Sequence, residues 1–297
     1  MNNPERIIMV RPAHFGFNAE TAESNKFQQS IALEGTSELA LSEFDSMVET
    51  LRNNDIEVLV LEDTITPIKP DAIFPNNWIS FHPDGRSFLY PMEALNRRLE
   101  RRMDVFQLVP EFNPENLLDI THFENTKQFL EGTGSIIFDH NNKSAYCAIS
   151  SRSDVKAFEY VCKQLAFTPI SFEAHDLNGH AIYHTNVLLS IGNQIVVICS
   201  ESISNPIERA MVVNTLKQKD VLLVEISLHQ MNQFAANCLE IKDKYGKSCL
   251  VMSTTAYQSF SEETRNEINT KSRIIPVSIP TIEKIGGGSA RCMMLGV

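Results

Sequence analysis

The segment at residues 187–199, VLLSIGNQIVVIC, contains two short apolar runs separated by the turn-forming pair Gly192-Asn193. Apolar runs of this length on either side of a glycine-containing turn are typical of a β-hairpin. The chain continues with a helix-like segment at 206–217, which begins with a proline suited to the first turn of a helix, and then with the apolar run 221–224. The stretch therefore predicts one unit with the order strand, turn, strand, helix, strand.

The same order recurs in three other parts of the chain. Hairpins are predicted within 78–90, 135–149 and 238–252, and each is followed by a predicted helix (93–102, 153–165 and 261–271) and strand (105–108, 167–172 and 273–277). The four predicted turns lie at Asp84, Asn141, Gly192 and Tyr245, so they are 57, 51 and 53 residues apart. A near-constant period of about this length indicates an internal structural repeat.

The remaining segments can form a fifth unit that joins the two ends of the chain. They comprise a strand at 7–10, a helix at 36–53, a strand at 56–61 and a C-terminal strand around Cys292. We therefore predict an α/β fold, a five-bladed, pseudo-symmetric α/β propeller of ββαβ units, with helices outside and strands around a central site. A doubly wound sheet would place single strands between helices, and the paired hairpins argue against it.

Composition limits the classes of function. Of 297 residues, 43% are hydrophobic and 21% are charged, which is near the average for globular proteins and predicts one catalytic domain over 1–297. The formal net charge of −11 argues against nucleic-acid binding and against a basic membrane-binding surface. Without signal-peptide or membrane-span patterns, and with six cysteines lacking metal-type spacing, we expect a reduced, cytoplasmic protein that needs no metal or organic cofactor.

The C-terminal segment GGGSARCMM at 286–294 places Cys292 after a glycine-rich stretch. Glycines allow a ligand to approach the backbone closely, and Arg291 beside the thiol would favour the nucleophilic thiolate form. The alternative is that Cys292 is a small buried residue in a terminal strand. The segment thus suggests a nucleophile, but it needs partner groups elsewhere in the chain.

Polar residues precede three of the predicted hairpins, at positions that converge on the axis of such a ring. They include Asp71, Glu131 and His184. Together with Cys292 they form a chemically coherent set, because a histidine can exchange protons, a carboxylate can orient it and a thiolate can attack. Taken singly, Asp71 is also compatible with a turn residue, Glu131 with a solvated loop acid and His184 with a hydrogen-bonded structural histidine.

Five short motifs carry a family resemblance. They are Asp-x-x-Phe at 71–74, Glu-Gly at 131–132, Ser-x-Arg-Ser at 150–153, His-x-Asn at 184–186 and the glycine-rich Arg-Cys-Met terminus. In this order they resemble the arginine deiminase and amidinotransferase (pentein) superfamily, most closely the citrulline-utilisation hydrolases and dimethylarginine dimethylaminohydrolases. The resemblance covers essentially the whole chain and implies the five-bladed propeller of ββαβ units.

The resemblance also implies roles for individual residues. Cys292 would be the nucleophile, His184 the general acid/base, and Glu131 the group that orients His184 or the substrate nitrogens. The implied substrate-binding residues are Arg152 and either Arg97 or Arg98 for the α-carboxylate, a task that suits a guanidinium fork, and Phe74 for the planar reacting group.

Two asparagines depart from the patterns of guanidine-processing relatives, which usually have aspartate at the position of Asn77, and arginine deiminases also at that of Asn186. An amide offers both a donor and an acceptor and carries no charge, so it suits a neutral ureido group. A carboxylate buried beside such a group would be uncompensated. Asp71 could still accept ureido N–H bonds. Because dimethylarginine hydrolases also lack the second aspartate, only Asn77 discriminates between substrates.

These observations predict a cysteine-dependent hydrolase that converts citrulline to ornithine, CO2 and ammonia through a covalent intermediate on Cys292. The expected partner is a small-molecule substrate, citrulline or an arginine derivative, with no nucleic acid and no membrane; family members are often homodimers. Arginine deiminase, dimethylarginine hydrolase and a non-catalytic amino-acid-binding propeller remain alternatives. Segments 14–35 and 110–130 are candidate lids by position.

Overall fold

A computed structural model describes residues 3–30, 35–217 and 220–297, and within these ranges the strands form five three-stranded sheets. The strands are β1 (Arg6–Arg11), β2 (Glu57–Glu62), β3 (Ile79–Phe81), β4 (Ser87–Leu89), β5 (Leu117–Asp119), β6 (Ile137–Asp139), β7 (Ser144–Ala148), β8 (Thr168–Phe172), β9 (Leu189–Ile191), β10 (Ile195–Ile198), β11 (Leu222–Glu225), β12 (Leu239–Lys242), β13 (Ser248–Ser253), β14 (Arg273–Val277) and β15 (Leu295–Gly296).

All five sheets share one topology. In each, a central strand pairs antiparallel with its hairpin partner and parallel with the strand that follows, as β10 does with β9 and β11. In the closing sheet, the order β15-β1-β2 brings the last strand beside the first, with Ile8 opposite Leu295. The predicted five-bladed α/β propeller is confirmed, including the blade that joins the two ends of the chain.

The four longest α-helices of the described residues lie close to the predicted bounds, and the four shorter ones were not predicted. Helix boundaries follow local chemistry: the Asp154 side chain accepts hydrogen bonds from the backbone N–H groups of Lys156 and Ala157, which caps the third helix. The helices are α1 (Thr36–Asn53), α2 (Gly132–Ser135), α3 (Val155–Leu165), α4 (Pro206–Lys217), α5 (Leu228–Asn232), α6 (Thr254–Ser259), α7 (Glu262–Lys271) and α8 (Pro280–Gly286). Among the described residues, no helix has the length and apolar character needed to cross a membrane.

The second blade along the chain differs from its prediction. The predicted helix at 93–102 and strand at 105–108 are wrong, because 3-10 helices occupy Asn96–Glu100 and Met103–Leu108 and the third strand is β5. Val105 and Phe106 are buried, and the Phe106 ring lies 5.5 Å from the Phe81 ring. A short apolar run is compatible with either a strand or a buried helical turn, so periodicity alone could not separate them.

The C-terminal prediction also needs correction. Cys292 lies in a 3-10 turn, Ala290–Met293, and the terminal strand β15 begins only at Leu295. The turn places the cysteine before the strand, in the position that polar residues occupy ahead of the other hairpins. Of the candidate lid 14–35, residues 31–34 lie outside the described residues.

Short helical turns precede the hairpins and carry the polar residues toward a common region. They include Pro75–Asn77, α2 and Thr185–Val187. The turns come unusually close together at Gly132, which has a φ of 47° and where an added Cβ would lie 2.3 Å from the backbone oxygen of Asn76. Only glycine fits this position, because both its backbone conformation and its contact exclude a side chain.

Candidate active site

A small cavity lies where these turns meet, and it brings together most of the residues predicted from sequence. The residues that line the cavity are Asn25, Asp71, Phe74, Asn77, Arg97, Arg152, Tyr183, His184, Gly286, Gly288 and Cys292.

Cys292 is 4% exposed, and its sulfur is held by side-chain amides. The Nδ2 atoms of Asn186 and Asn237 each lie 3.3 Å from Sγ, in donor geometry. The predicted role of Asn186 is to face the substrate, whereas the structure places its Nδ2 on the Cys292 sulfur. Its Oδ1 is buried and has no hydrogen-bond partner among the described residues.

Asn237 was missed by the sequence analysis. It precedes the hairpin of β12 and β13, so it holds in the fourth unit the place that Asn186 holds in the third. The repeat itself could therefore have identified it. Tyr183 was also missed, although it adjoins His184 and its hydroxyl donates to the backbone oxygen of Gly287 at 2.8 Å.

His184 and Glu131 form a buried pair, with Nε2 of the histidine 2.9 Å from Oε2 of the carboxylate. Burial disfavours the Glu131 anion, but the positive charges of Arg152 and Arg97 and the bond from His184 outweigh it and hold the pKa of that carboxyl well below its usual range. Burial lowers the pKa of His184 to about 4, despite the opposing effect of Glu131. At neutral pH the pair is therefore a carboxylate and a neutral imidazole.

The charge state of the pair fixes which nitrogen carries the proton. An ionised carboxylate only accepts hydrogen bonds, so Nε2 of His184 is the protonated nitrogen that donates to Glu131. The other ring nitrogen, Nδ1, keeps a lone pair that can accept a proton. Gly134 packs against it, since an added Cβ there would lie 2.7 Å from Nδ1. A neutral imidazole with this tautomer can accept a proton at Nδ1.

Asp71 and Asn77 each leave one polar atom without a partner among the described residues. Asp71 accepts a bond from Nδ2 of Asn18 at 2.7 Å through Oδ2, while its Oδ1 is unpaired. Asn77 accepts a bond from Nη1 of Arg97 at 2.9 Å through Oδ1, while its Nδ2 is unpaired. Burial raises the pKa of Asp71, with the Arg97 charge opposing it. Two residues that line the cavity thus contain one unused acceptor and one unused donor.

Of the two arginines considered, Arg97 lines the cavity, whereas Arg98 bonds to the backbone oxygen of Met92 away from it. Nε and Nη2 of Arg97 each donate to the Glu100 carboxylate at 2.9 Å. With most of its donors occupied, Arg97 is placed to orient Asn77. Its role in binding an α-carboxylate stays a prediction.

Arg152 connects the cavity to the segment that lies over it. Its Nη2 donates to the backbone oxygen of Thr21 at 2.9 Å and to the Ser24 hydroxyl at 2.7 Å, and its guanidinium lies 5.0 Å from the centre of the Tyr183 ring. Asn25 lines the cavity from the same segment, and its amide donates to the Gly286 oxygen at 3.3 Å. These contacts favour 14–30 over 110–130 as the segment that covers the site.

Phe74 lies against the glycine-rich C-terminal segment. A Cβ added at Gly286 or Gly288 would come within 2.9 Å of the Phe74 ring, so the ring and the backbone form one wall of the cavity. Within the ranges that the structure describes, no three His, Cys, Asp or Glu side chains are grouped in a way that could hold a metal ion.

Comparison with sequence families gives a match over residues 11–297 to the family model described as N,N dimethylarginine dimethylhydrolase, eukaryotic. No curated protein sequence matches the chain significantly. The family match covers the catalytic candidates from Asp71 to Cys292.

Solved structures give the same fold at low sequence identity. The N-terminal domain of ArgZ, an arginine dihydrolase from cyanobacteria, is 15% identical with a TM-score of 0.73, and the alignment covers 98% of this chain and 97% of that domain. A DDAH from Pseudomonas aeruginosa, crystallised with citrulline, is 16% identical with a TM-score of 0.68, and the alignment covers 99% and 100% of the two chains. AgrE, crystallised with ornithine and NAD+, is 15% identical with a TM-score of 0.76 over 100% of this chain. The chain spans 40% of the longer ArgZ and AgrE chains.

Proposed function

The chain belongs to the N,N dimethylarginine dimethylhydrolase family within the pentein superfamily, and from this premise we propose that it is a cysteine-dependent hydrolase of a ureido or guanidino carbon, with citrulline as its substrate. Cys292 would be the nucleophile, His184 the general acid/base and Glu131 the group that holds His184. Asp71, Asn77 and Phe74 would contact the reacting group.

The choice of citrulline rests on the orientation of the Asn77 side-chain amide. Because Arg97 donates to one end of the Asn77 side chain, that end is the oxygen, and the end left unpaired is the Nδ2 donor. A ureido group offers a carbonyl oxygen that accepts such a donor, whereas every nitrogen of a guanidinium is itself a donor or blocked. The unpaired Oδ1 of Asp71 supplies the acceptor for a ureido N–H.

The first half of the reaction would form the covalent intermediate. The Cys292 thiol gives its proton to Nδ1 of His184, and the sulfur electron pair forms a bond to the ureido carbon. His184 then returns this proton to the departing nitrogen, so the C–N bond breaks and ammonia leaves. The product is a thiocarbamate that joins Cys292 to the δ-nitrogen of the amino acid.

The second half would release the enzyme. Water gives a proton to neutral His184 and attacks the thiocarbamate carbon, the C–S bond breaks and the sulfur recovers its proton. The carbamate that is released loses CO2 and leaves ornithine. One water is consumed in all, and citrulline gives ornithine, CO2 and ammonia.

A second candidate is hydrolysis of arginine or a methylated arginine at the same carbon. It is favoured by the unpaired carboxylate oxygen of Asp71, which could accept a guanidinium N–H. It is also favoured by the substrates for which ArgZ and the matching family are named, arginine and dimethylarginine. The catalytic residues would be unchanged, and only the groups that contact the terminal nitrogen would differ.

Paired incubations test the proposal. Purified protein is supplied with citrulline, arginine or dimethylarginine, and ornithine, citrulline and ammonia are measured. We expect ornithine from citrulline. Citrulline as the product of arginine or dimethylarginine would replace the proposal with the second candidate, and binding of citrulline without turnover would support a non-catalytic amino-acid-binding propeller.

Asn77→Asp should reverse the substrate preference. The new carboxylate keeps the acceptor for Arg97 but replaces the free donor with an anionic oxygen, which repels a ureido oxygen and attracts a guanidinium. We expect kcat/KM for citrulline to fall about 100-fold, on the scale of one lost hydrogen bond that leaves a buried polar group unpaired. Steady-state kinetics with citrulline and arginine measure the change. An equal fall for both substrates would show that Asn77 does not select between them.

The pH profile should show an acid limb set by His184. The general base must be neutral, and its pKa of about 4 predicts that kcat/KM stays level toward acid pH and falls only near pH 4. This pKa in the folded protein is below the ordinary value of about 6.5, so folding favours the neutral imidazole. The contribution of His184 to the free energy of unfolding is therefore fully present above pH 6.5 and is lost as the pH falls toward 4. Circular dichroism at each pH separates unfolding from titration. An acid limb near pH 6.5 in folded protein would contradict the assignment.

A further inference from the structure

We infer that Asn237, which lies outside the family motifs, is a catalytic residue that acts with Asn186 to hold the sulfur of Cys292 as a thiolate between two side-chain amides. The inference rests on the proposed role of Cys292 as the nucleophile. Cysteine hydrolases often stabilise the thiolate with a cationic side chain, whereas here two neutral amides would stabilise it.

The two amides approach the sulfur from neighbouring blades. Asn186 belongs to the turn before β9, and Asn237 lies two residues before the start of β12. Each Nδ2 is 3.3 Å from Sγ, and both side chains are 1% exposed. Hydrogen bonds to an ionised acceptor are about twice as strong as bonds between neutral groups, so two buried donors favour the thiolate over the thiol.

The orientation of the Asn237 amide is fixed by its other contacts. The backbone N–H of Arg291 donates to Oδ1 at 3.0 Å, so this end of the side chain is the oxygen. Nδ2 also donates to the backbone oxygen of Asn186 at 3.2 Å. Asn237 therefore bonds to Cys292, Arg291 and Asn186 at once. Its side chain cannot rotate without breaking these hydrogen bonds.

Asn237 can bond the sulfur in both protonation states. Oδ1 lies 3.6 Å from Sγ and can accept the weak S–H bond of the thiol, while Nδ2 donates to the sulfur lone pairs. When the S–H proton passes to His184, the Oδ1 bond is lost and the two N–H bonds become charge-assisted. The electron pair stays on sulfur and is ready to form the bond to carbon.

The charged neighbour of Cys292 makes a different contact. The Arg291 guanidinium donates through Nη1 to the backbone oxygen of Met294 at 2.9 Å. Among the residues that the structure describes, the hydrogen bonds recorded at the sulfur come from Asn186 and Asn237. The amides are thus the groups that bond the sulfur directly, while the Arg291 charge acts on the sulfur through space and the Tyr183 hydroxyl lies near enough to interact with it.

Alkylation of Cys292 by iodoacetamide tests this inference without any substrate. The rate is measured from pH 5 to 10 and corrected with Cys292→Ala, because the other cysteines are also present. Asn237→Asp keeps the shape and the acceptor for Arg291 but replaces the donor with a negative oxygen. We expect alkylation at pH 7 to slow at least about tenfold, with the midpoint of the rate profile moved at least about one pH unit upward, since a unit corresponds to a factor of ten.

Asn237→Ser and Asn186→Ala remove one donor each without adding charge and should give smaller shifts in the same direction. Ser190→Ala is the matched control: it removes a buried hydrogen bond to the Cys238 oxygen, next to Asn237, and should leave the profile unchanged. Circular dichroism confirms that each variant is folded. If the Asn237 and Asn186 variants are folded and their alkylation rates depend on pH as in the wild type, the inference is overturned. Shifted profiles in a protein that does not turn over citrulline would support it and reject the proposed function alone.

Discussion

Replacing Cys292 with alanine should abolish turnover, with a loss of at least about 10⁴ in kcat, because covalent catalysis has no substitute nucleophile in the cavity. The two amides and the His184–Glu131 pair would remain in place, but no atom could form the bond to the substrate carbon. Product formation by purified variant and wild-type protein, compared at equal concentration, measures the loss.

The same variant should keep the fold, since Cys292 is a small side chain and its replacement leaves space for no more than one sulfur atom. Circular dichroism and a urea titration check this. Cys162→Ala is a suitable control, because Cys162 is equally buried but packs in the core of α3 away from the cavity. Full activity of Cys292→Ala would disprove the covalent mechanism.

Neutralising Glu131 by Glu131→Gln should reduce both activity and stability. Glu131 is fully buried, and its carboxylate lies 2.9 Å from His184, 3.7 Å from Arg97 and 3.6 Å from Arg152. Without its charge the two guanidiniums lose a buried counter-ion, and breaking a buried pair in this way costs roughly 3–5 kcal/mol. His184 loses the group that fixes its proton on Nε2, and general acid–base catalysis is worth about 10²–10⁴ in rate.

Urea denaturation and steady-state kinetics separate the two effects, provided that kinetics are measured where the variant is folded. The matched control is Glu93→Gln, because the Glu93 carboxylate also faces Arg152, at 3.4 Å, but its side chain is 29% exposed. Glu93 is half-buried and also accepts hydrogen bonds from Ser24 and Ser151. Because solvent screens this pair more than the Glu131 pairs, the variant should lose less stability than Glu131→Gln. A Glu131→Gln protein with wild-type stability and kcat would show that the carboxylate is a bystander.

The propeller was readable from sequence because each blade contains the same local signals. Two apolar runs around a turn, followed by a helix and an apolar strand, recur with enough regularity that errors in one unit do not alter the count. The blade that contains β3, β4 and β5 shows the limit. Its apolar run at 105–108 packs in the core as a 3-10 helix, and the third strand is the partly exposed β5, which at three residues is too short to show a strand period.

The identities of the candidate catalytic residues were also accessible, because the junctions before the hairpins are equivalent positions in a ring. Cys292, His184, Glu131, Asp71 and Asn77 follow from this position and from the family motifs. Asn237 lies at the same kind of junction but matches no motif. Asn18 and Asn25, which come from the covering segment, have no repeat relation to the other site residues.

The sequence by itself determined the number of blades, the closure of the ring and most of the candidate catalytic groups, since these depend on local periodicity and order along the chain. Only the tertiary structure decided what each polar atom contacts. Asn186 donates to the sulfur, Arg97 is paired with Glu100, and one end of Asn77 remains free. These pairings range from neighbours on one helical turn, as for Arg97 and Glu100, to residues more than a hundred positions apart, as for Asn186 and Cys292. They depend on distances of a few tenths of an ångström that no local pattern encodes.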